Sequence, residues 1–525
     1  MKYILCLDIG TTNIRCAICD PQFKNQIKSI VYDKLQILYL PNGNVEIDPQ
    51  QLWIQILNLI RKCISTSNIS IDQISSLGIS AQRNTFVTWD KTSGTEFHNL
   101  IVWNDLRAKE LVEEYNESWC LWILNKACKL LYQVTRQKRF LAGSVIKFMN
   151  AQVSLRLLWI LTHCQPVRVN VAKRNVLFGT LDTWLIYKLT RGAHHITDVS
   201  HASSTGLYDP FTLGWAQWAL SLFRIPVSIL PKVLATWHGR EDIRVDSEHL
   251  GREIPIRASI TDQSASMYGL SCVKKGDMKL TMGTGSFMDV NTSDKPHASL
   301  EGLYPLVGWQ FSSHKSRPVY LVEGSSYGTG GLIEFCKSKG LFSTLEETSD
   351  LASSVPNSGG VVFAMGFSGL QDPAMQEPGS IMGFLHQSES TTRAHLVRAL
   401  LESVAFRVKQ IYDTMLKETE FQFKTIRVDG GCSRNDFLCQ LIADLTRVRV
   451  WRPSQTESSI VGVAKLISDC ERSDRLDHPV EEQDEVELDG TEFLPRLELY
   501  EQHMSMYTVW NMEMSVCWCS DTELR

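Results

Sequence analysis

Residues 3–19, YILCLDIGTTNIRCAIC, decide how the rest of the chain is read. Tyr3 to Leu7 make an apolar run that ends on a carboxylate, Asp8. Gly10, Thr11 and Thr12 supply turn chemistry, and Ile14 to Cys19 form a second apolar run, so the spacing predicts a β-hairpin. A tight turn of this kind presents backbone N–H groups and hydroxyls to a phosphate. Asp8 is placed to hold Mg²⁺ through water, because magnesium sheds its hydration reluctantly, and Arg15 adds positive charge beside the phosphates. Read alone, the element is also compatible with a polar hairpin carrying an incidental Asp.

Working outward, a hairpin of the same kind recurs at MGTGSF, residues 282–287, where Gly283, Thr284 and Gly285 would let the backbone approach a second phosphate closely; read alone, a GTG hairpin is more often only a turn, and its weight comes from matching the first. Ahead of it, Ile254 to Ile260 reads as a strand, and ITDQ at 260–263 opens a helix that runs from Asp262 to Leu270. Asp262 then stands at the lip of a cleft as a general base for a hydroxyl, or simply as a helix N-cap. Further on, VDGGCSRNDFLCQLIADL at 428–445 joins a strand, paired glycines and an amphipathic helix. Gly430 and Gly431 suit the floor under a flat ring and Asn435 a polar contact to it; an ordinary strand-to-helix turn fits the same pattern.

Two hairpins in the same setting predict two related halves around one cleft, with the pattern starting over near Ile254 and with Asp8 and Asp262 on opposite lobes. The expected division is 1–253, 254–470 and a tail, 471–525. Seven acidic residues between Glu481 and Glu492 predict a solvated stretch dispensable for chemistry, before a helical pattern from Leu494 to Met514. Helical spacing also runs through Gln50 to Ile64, Ser118 to Tyr132 and Val145 to Leu161, and strands are expected at Ser76 to Ile79 and Asn99 to Trp103.

Composition agrees with a packed two-domain enzyme, since 525 residues exceed one core and 43% hydrophobic with 21% charged residues is ordinary globular usage. A net charge of -5 gives no global field for nucleic acid or an anionic membrane. No apolar run reaches the roughly 18 residues of a membrane span, so a cytoplasmic location is expected. The 14 cysteines, among them Cys6, Cys16 and Cys19, stand mostly singly in apolar surroundings and read as reduced core residues; Cys517 and Cys519 lack metal-site spacing.

Five more segments stand in order between these elements: SAQRNTFVTWDKTSG at 80–94, NLIVWNDLRA at 99–108, FGTLDTWLIYKLT at 178–190, TDVSHASSTGLYD at 197–209 and VEGSSYGTGGLIEF at 322–335. With them the chain resembles the FGGY carbohydrate kinases over residues 3 to 467, and within that family the glycerol kinases. The resemblance implies an α/β fold of two actin-like, ribonuclease H-like ATPase domains flanking a catalytic cleft. It implies ATP and Mg as cofactors and a small polyol, glycerol, as substrate. Carried over residue by residue, the nucleotide contacts fall on Thr11, Thr12, Asn13, Arg15, Thr284, Gly330, Gly431 and Asn435, and the polyol contacts on Arg83, Trp103, Asp262, Gln263 and Phe287.

Four departures bear on substrate and rate. Asn84 follows Arg83 where the family has Glu, removing a charged acceptor. The tyrosine of the polyol pocket falls near Arg139 or Phe140. Glu334 replaces a Gln that serves the nucleotide, and the glycine-alanine helix at Gly462, Val463 and Ala464 breaks off into the acidic tract. The expected activity is phosphorylation of glycerol to glycerol 3-phosphate, the alternatives being a kinase for another polyol or ketose, or a weakly active nucleotide-dependent regulatory protein.

Overall fold

The computed structural model describes residues 2–21, 26–239, 242–311, 317–326, 328–364, 383–476 and 489–522. Most of the acidic tract, 481–488, and the side chains of Cys517 and Cys519 lie outside them.

The opening hairpin forms as its pattern requires, Tyr3–Ile9 against Asn13–Asp20, with Asp8 opposite Arg15 and Ile9 opposite Ile14. It sits inside a six-stranded sheet whose spatial order is Arg244–Val245, Ile254–Thr261, Ile74–Ala81, Tyr3–Ile9, Asn13–Asp20, Gln26–Lys34. Both faces of this sheet are covered, which is why its central strands are continuous apolar runs rather than alternating ones. Leu5, Leu7 and Ile9 pack with Leu52, Ile56 and Ile60 of the helix Pro49–Thr66, while Ile4 and Cys6 pack on the other side with Ile460, Val463 and Ile467 of the helix Ser458–Leu476.

A seven-stranded sheet repeats the plan. Its hairpin is Met278–Met282 against Ser286–Ser293; Val319–Ser326 adds an antiparallel strand on one side, and Thr425–Asp429 and Arg449–Pro453 add parallel strands on the other. The first sheet has the same composition, with Ile74–Ala81 and Ile254–Thr261 as its parallel pair. The chain therefore has the expected α/β fold of two related domains.

The boundary between the halves is not where the sequence pattern places it. Ile254–Thr261 does not open the second half. It completes the first sheet, its run matching the free parallel edge of Ile74–Ala81, and the chain crosses to the second sheet only between Gly269 and Met278. The helical pattern expected over Leu494 to Met514 is realised from Tyr500 on, and the tail is tied to the second domain. Gly490–Phe493 is the edge strand beside Arg449–Pro453, and the helix Tyr500–Thr522 buries Tyr507, Trp510 and Met514 in the same core as Phe363 and Phe406.

Two helix expectations are corrected. The glycine-alanine helix does not break off but runs unbroken over Ser458–Leu476, and it crosses Asp262–Gly269 so closely that a Cβ on Gly462 would overlap the carbonyl of Ala265, and one on Gly269 that of Ser458. The helix expected over Val145 to Leu161 begins only at Val153, because the Asn116 side chain pins Phe148 by bonds of 2.8 and 3.0 Å to its backbone N–H and carbonyl.

Candidate active site

Three parallel strands of the first sheet end side by side, Ile9 and Thr261 both standing in register with Ala81. Ligands of open parallel sheets gather at such carboxyl ends. The residues at or just beyond these ends are Asp8, Arg83 and Asp262, and all three line one cleft of about 1300 Å³ between the domains. The two carboxylates thus share a sheet, contrary to the expectation that they face each other from opposite lobes; neighbouring strands hold them at one level, within electrostatic reach of each other.

Asp8 is buried and fully engaged. Arg15 donates to Oδ2 at 2.9 Å, Ser459 to Oδ2 at 3.0 Å and Ser80 to Oδ1 at 2.7 Å, and Arg15 also pairs with Glu457 at 3.0 Å. Asp262 begins its helix at the cleft mouth. Burial among protein atoms, with Asp8 adding to it and Arg83 and Lys279 resisting it, raises its carboxyl to about 6. That value leaves it ionised at neutral pH yet more basic than a surface carboxylate.

The start of that helix is anchored from behind. Ser200 accepts the Thr261 N–H at 2.9 Å and donates to Asp198 at 2.9 Å, and Asp198 receives His201 Nδ1 at 2.8 Å and Thr236 at 2.9 Å. Asp182 lies 3.6 Å from the same imidazole, and the two carboxylates and Asp262 raise the pKa of His201 against the effect of burial. The node also reaches the second domain, since Ser203 accepts the N–H of Val307 at 3.0 Å and Thr236 that of Gln310 at 3.1 Å.

Arg83 spans the cleft. Its guanidinium meets Glu323 of the second sheet at 2.6 Å and lies 5.6 Å from the centroid of the Phe287 ring. Burial raises the Glu323 carboxyl, an effect that Arg83 opposes and that Asp289, its cross-strand neighbour, reinforces. Lys279 is wholly buried, paired with Asp289 at 3.0 Å, and donates to the Gln263 side-chain oxygen at 2.7 Å, which orients that amide and leaves its nitrogen available to a ligand. The Trp103 indole donates to Thr11 at 3.0 Å, and its ring meets Phe287 edge-on at 6.4 Å. These two rings form an apolar wall beside the polar groups.

The second hairpin lies across the cleft, Gly283, Thr284 and Gly285 lining it together with Gly330, Glu334, Gly430 and Gly431. A Cβ on Gly330 would overlap the carbonyl of Gly283, and one on Gly430 that of Met282, so these glycines are required by backbone packing on backbone. Glu334 is exposed and acts electrostatically on Cys432, which places it by the glycine pair.

Of the residues expected in the site, Asp8, Thr11, Thr12, Asn13, Arg15, Arg83, Asn84, Trp103, Asp262, Gln263, Gly283, Thr284, Gly285, Phe287, Gly330, Glu334 and Gly431 all line the cleft. Asn435 is not among the lining residues. It is buried as a helix N-cap, accepting the Leu438 N–H at 2.9 Å and donating to Thr348 at 2.8 Å, so its amide is already spent. Nor do Arg139 and Phe140 reach the cleft lining; Arg139 pairs with Asp209 at 2.8 Å.

Sequence reasoning missed Asp429, Glu323 and Gln82. Asp429 accepts from Thr281 at 2.6 Å and from Ser266, and it precedes Gly430 at a strand end much as Asp8 precedes Gly10, a signal that could have found it. Gln82 steadies the first turn, donating to the Gly10 carbonyl at 3.2 Å.

The donor set suits magnesium rather than a soft metal: the cleft offers carboxylate and hydroxyl oxygens, and its one lining thiol, Cys432, has its pKa pushed up to about 12 by burial. Among the described residues, the set of three acidic or imidazole ligand atoms lying within 4.8 Å of one another is Asp182, Asp198 and His201, so Asp8, Asp262 and Asp429 form no dry cage. Wider spacing fits an ion that keeps its waters.

Comparison with known proteins agrees with this geometry. Residues 3–269 match the N-terminal domain, and residues 278–468 the C-terminal domain, of the FGGY family of carbohydrate kinases. The chain belongs to that family, and is thereby a phosphotransferase with an alcohol group as acceptor. It is 45% identical over 462 residues to glycerol kinase 5 of Danio rerio, spanning 88% of this chain and 86% of the relative. It is 35% identical to glycerol kinase 2 of Thermotoga maritima over 89% of each chain. The crystal structure of Plasmodium falciparum glycerol kinase with ADP superposes with a TM-score of 0.81 at 26% identity, covering 98% of each chain. Together these relatives make it a glycerol-type kinase.

Proposed function

We propose that the chain transfers the γ-phosphoryl group of ATP to a terminal hydroxyl of glycerol, giving sn-glycerol 3-phosphate and ADP. The observation that carries this reading is the row Asp8, Arg83, Asp262 on adjoining strand ends, facing a second wall of glycine backbone across one cleft.

Asp262 accepts the proton of the attacking hydroxyl, a task its raised pKa suits. Arg83 and the Gln263 amide bind the remaining hydroxyls, while Trp103 and Phe287 cover the carbon chain. Thr11, Thr12, Asn13 and Arg15 on one hairpin, with Gly283, Thr284, Gly285 and Gly330 on the other, cradle the phosphates. Gly430, Gly431 and Glu334 line the adenosine end. Bound magnesium would neutralise charge on the phosphates, with Asp8 holding it through its waters and Asp429 nearby. Cleft closure, with Arg83 and Glu323 meeting across it, excludes water from the transfer. A cytoplasmic setting accords with the unlinked, buried Cys6, Cys16, Cys19 and Cys63.

The test is ADP release from MgATP by the purified protein, with and without glycerol. Glycerol is expected to accelerate it well above the rate in water alone, and Asp262→Asn to abolish that acceleration. Equal ADP release with and without glycerol would refute glycerol as acceptor. A second reading, a different small polyol or ketose, is favoured by Asn84 and by the absence of Arg139 and Phe140 from the cleft lining. A panel of polyols decides it, and the highest kcat/KM falling on glycerol removes it.

A further inference from the structure

The helix Trp119–Thr135 turns one stripe inward, with Leu121 buried and Leu124, Asn125 and Cys128 half-buried, and leaves a second apolar stripe on its opposite side. Trp119 is 77% exposed, Ile123 57%, Leu130 62% and Val134 77%, at the i, i+4, i+11, i+15 spacing of one helix face, with Trp122 at 54% beside them. An apolar surface of this size on a monomer marks a contact with something. Neither the cleft nor the packing of the domains uses it.

Charge says what that contact is. Between Ser118 and Ser144 there is no acidic residue, while Lys126, Lys129, Arg136, Lys138 and Arg139 are basic. Arg139 is paired with Asp209, and among the described residues Lys126, Lys129, Arg136 and Lys138 form no ion pair. On the helix wheel Lys126 falls beside Trp119 and Lys129 flanks it on the side of Trp122, so the ammonium groups border the apolar stripe; the Lys126 ammonium lies 5.7 Å from the Trp122 ring centroid. Lysines are depleted from the centres of protein–protein contacts, where their charge must be desolvated, but at a lipid surface the stem lies along the apolar layer while the ammonium meets headgroup phosphates. Tryptophans, here Trp119 and Trp122 in edge contact at 5.8 Å, favour the same interfacial depth.

We propose that this helix is an interfacial docking face for an anionic lipid bilayer, its Trp119–Val134 stripe entering the headgroup layer and its lysines contacting lipid phosphates. The net charge of -5 conceals this local field. The nearest acidic residues in sequence, Glu113, Glu114 and Glu117, belong to the preceding helix, Lys109–Glu117, so attraction is strongest toward the Lys126–Lys138 end. No helix among the described residues is long and apolar enough to cross a membrane, and the docking inferred here is peripheral.

The test is sedimentation of the full chain with vesicles of phosphatidylcholine containing 30% phosphatidylserine, against vesicles of phosphatidylcholine alone. Binding to the anionic vesicles is expected to exceed binding to the neutral ones at least about ten-fold and to fall several-fold between 0.1 and 0.5 M salt. Two variants separate the two components. Trp119→Ser with Ile123→Ser and Leu130→Ser should abolish binding, and Lys126→Glu with Lys129→Glu should remove the preference for anionic lipid. All five positions are exposed, and unchanged thermal melting checks that the fold is kept. No binding to either vesicle, or binding that neither variant alters, overturns the proposal. So does a wild-type chain that dimerises without lipid and becomes monomeric with the serine variant, because the stripe would then be an interface between copies.

Discussion

The two hairpins differ most at the second residue pair from the turn. In the first, Asp8 faces Arg15; in the second, Thr281 faces Phe287. The contrast extends along both walls. The first sheet delivers charged side chains from three strand ends, whereas the second supplies backbone, with glycines at 283, 285, 330, 430 and 431. One strand plan thus yields two surfaces: a wall that presents charged side chains, and a wall whose glycine backbone can approach an anion closely, the division on which the proposed reaction rests. Glu323, Glu334 and Asp429 are the acidic side chains on the second wall, and the partner of Glu323 is Arg83 of the first.

The largest effects should follow from removing charge on the first wall. Asp262→Asn and Asp8→Asn are each expected to lower kcat by about 10²- to 10⁴-fold. Thr281→Val, at the station matching Asp8, should cost at most about ten-fold, since it removes one hydrogen bond to Asp429. Steady-state kinetics on the three variants tests the contrast, and equal losses at Asp8 and Thr281 would break it.

On the second wall the sensitive quantity is stability. Gly430 has φ 87, and a Cβ there would overlap the Met282 carbonyl, so Gly430→Ala should destabilise by about 2–4 kcal/mol. A Cβ on Gly283 meets nothing within 4 Å, and Gly283→Ala should stay within about 0.5 kcal/mol. Urea denaturation of the two alanine variants reads the difference directly.

How much of this was legible beforehand depends on how local each feature is. DIGTTNIR and MGTGSF are complete within a few residues, and both fold as hairpins from their own pattern. The end of the first domain was not legible, because Ile254–Thr261 pairs with Ile74–Ala81 across more than 170 residues while in sequence it leads directly into the second hairpin. Asn435 carries a pattern shared by a ligand contact and a helix cap, and only the buried bond to Thr348 separates them. Glu323 stood inside a quoted motif, but its partner Arg83 lies 240 residues away.

A smaller effect couples activity to stability at Asp262. Its carboxyl titrates near 6 in the folded chain, above the usual carboxylate range, so the folded state binds this proton more tightly than the unfolded state does. In the proposed reaction the carboxylate form is the one that accepts the proton, so kcat/KM should fall as pH drops through about 6. The contribution of this group to stability runs the other way, greatest below the usual carboxylate pKa and lost as pH rises through 6. Asp262→Asn should therefore raise stability at pH 7.5 by about 1–2 kcal/mol, allowing for the partial exposure of the group, while it lowers kcat. Thermal melts of the two proteins at pH 5 and 7.5 check the sign, and an equal difference at both values would remove Asp262 as the titrating group.

Asn84 marks where the charge of the first wall stops, and it sets the smallest effect. Its φ of 62 lies in the left-handed region that Asn tolerates, its carbonyl accepts from Arg156 at 2.8 Å, and its side-chain oxygen is buried without a hydrogen-bond partner among the described residues. Asn84→Glu supplies a charged acceptor worth about 1–2 kcal/mol to a bound hydroxyl. Against this stands repulsion from the carboxylates already lining the cleft, while the backbone cost of Glu at positive φ, about 1–2 kcal/mol, falls on stability in the free and bound protein alike. The balance of acceptor and repulsion predicts a KM for glycerol lowered about three-fold, with kcat unchanged and stability reduced by about 1–2 kcal/mol. A larger gain would mean that the missing acceptor alone limits polyol affinity. No change in Asn84→Glu or in Asn84→Ala would place the polyol beyond reach of this residue, and the charged wall would then end at Arg83.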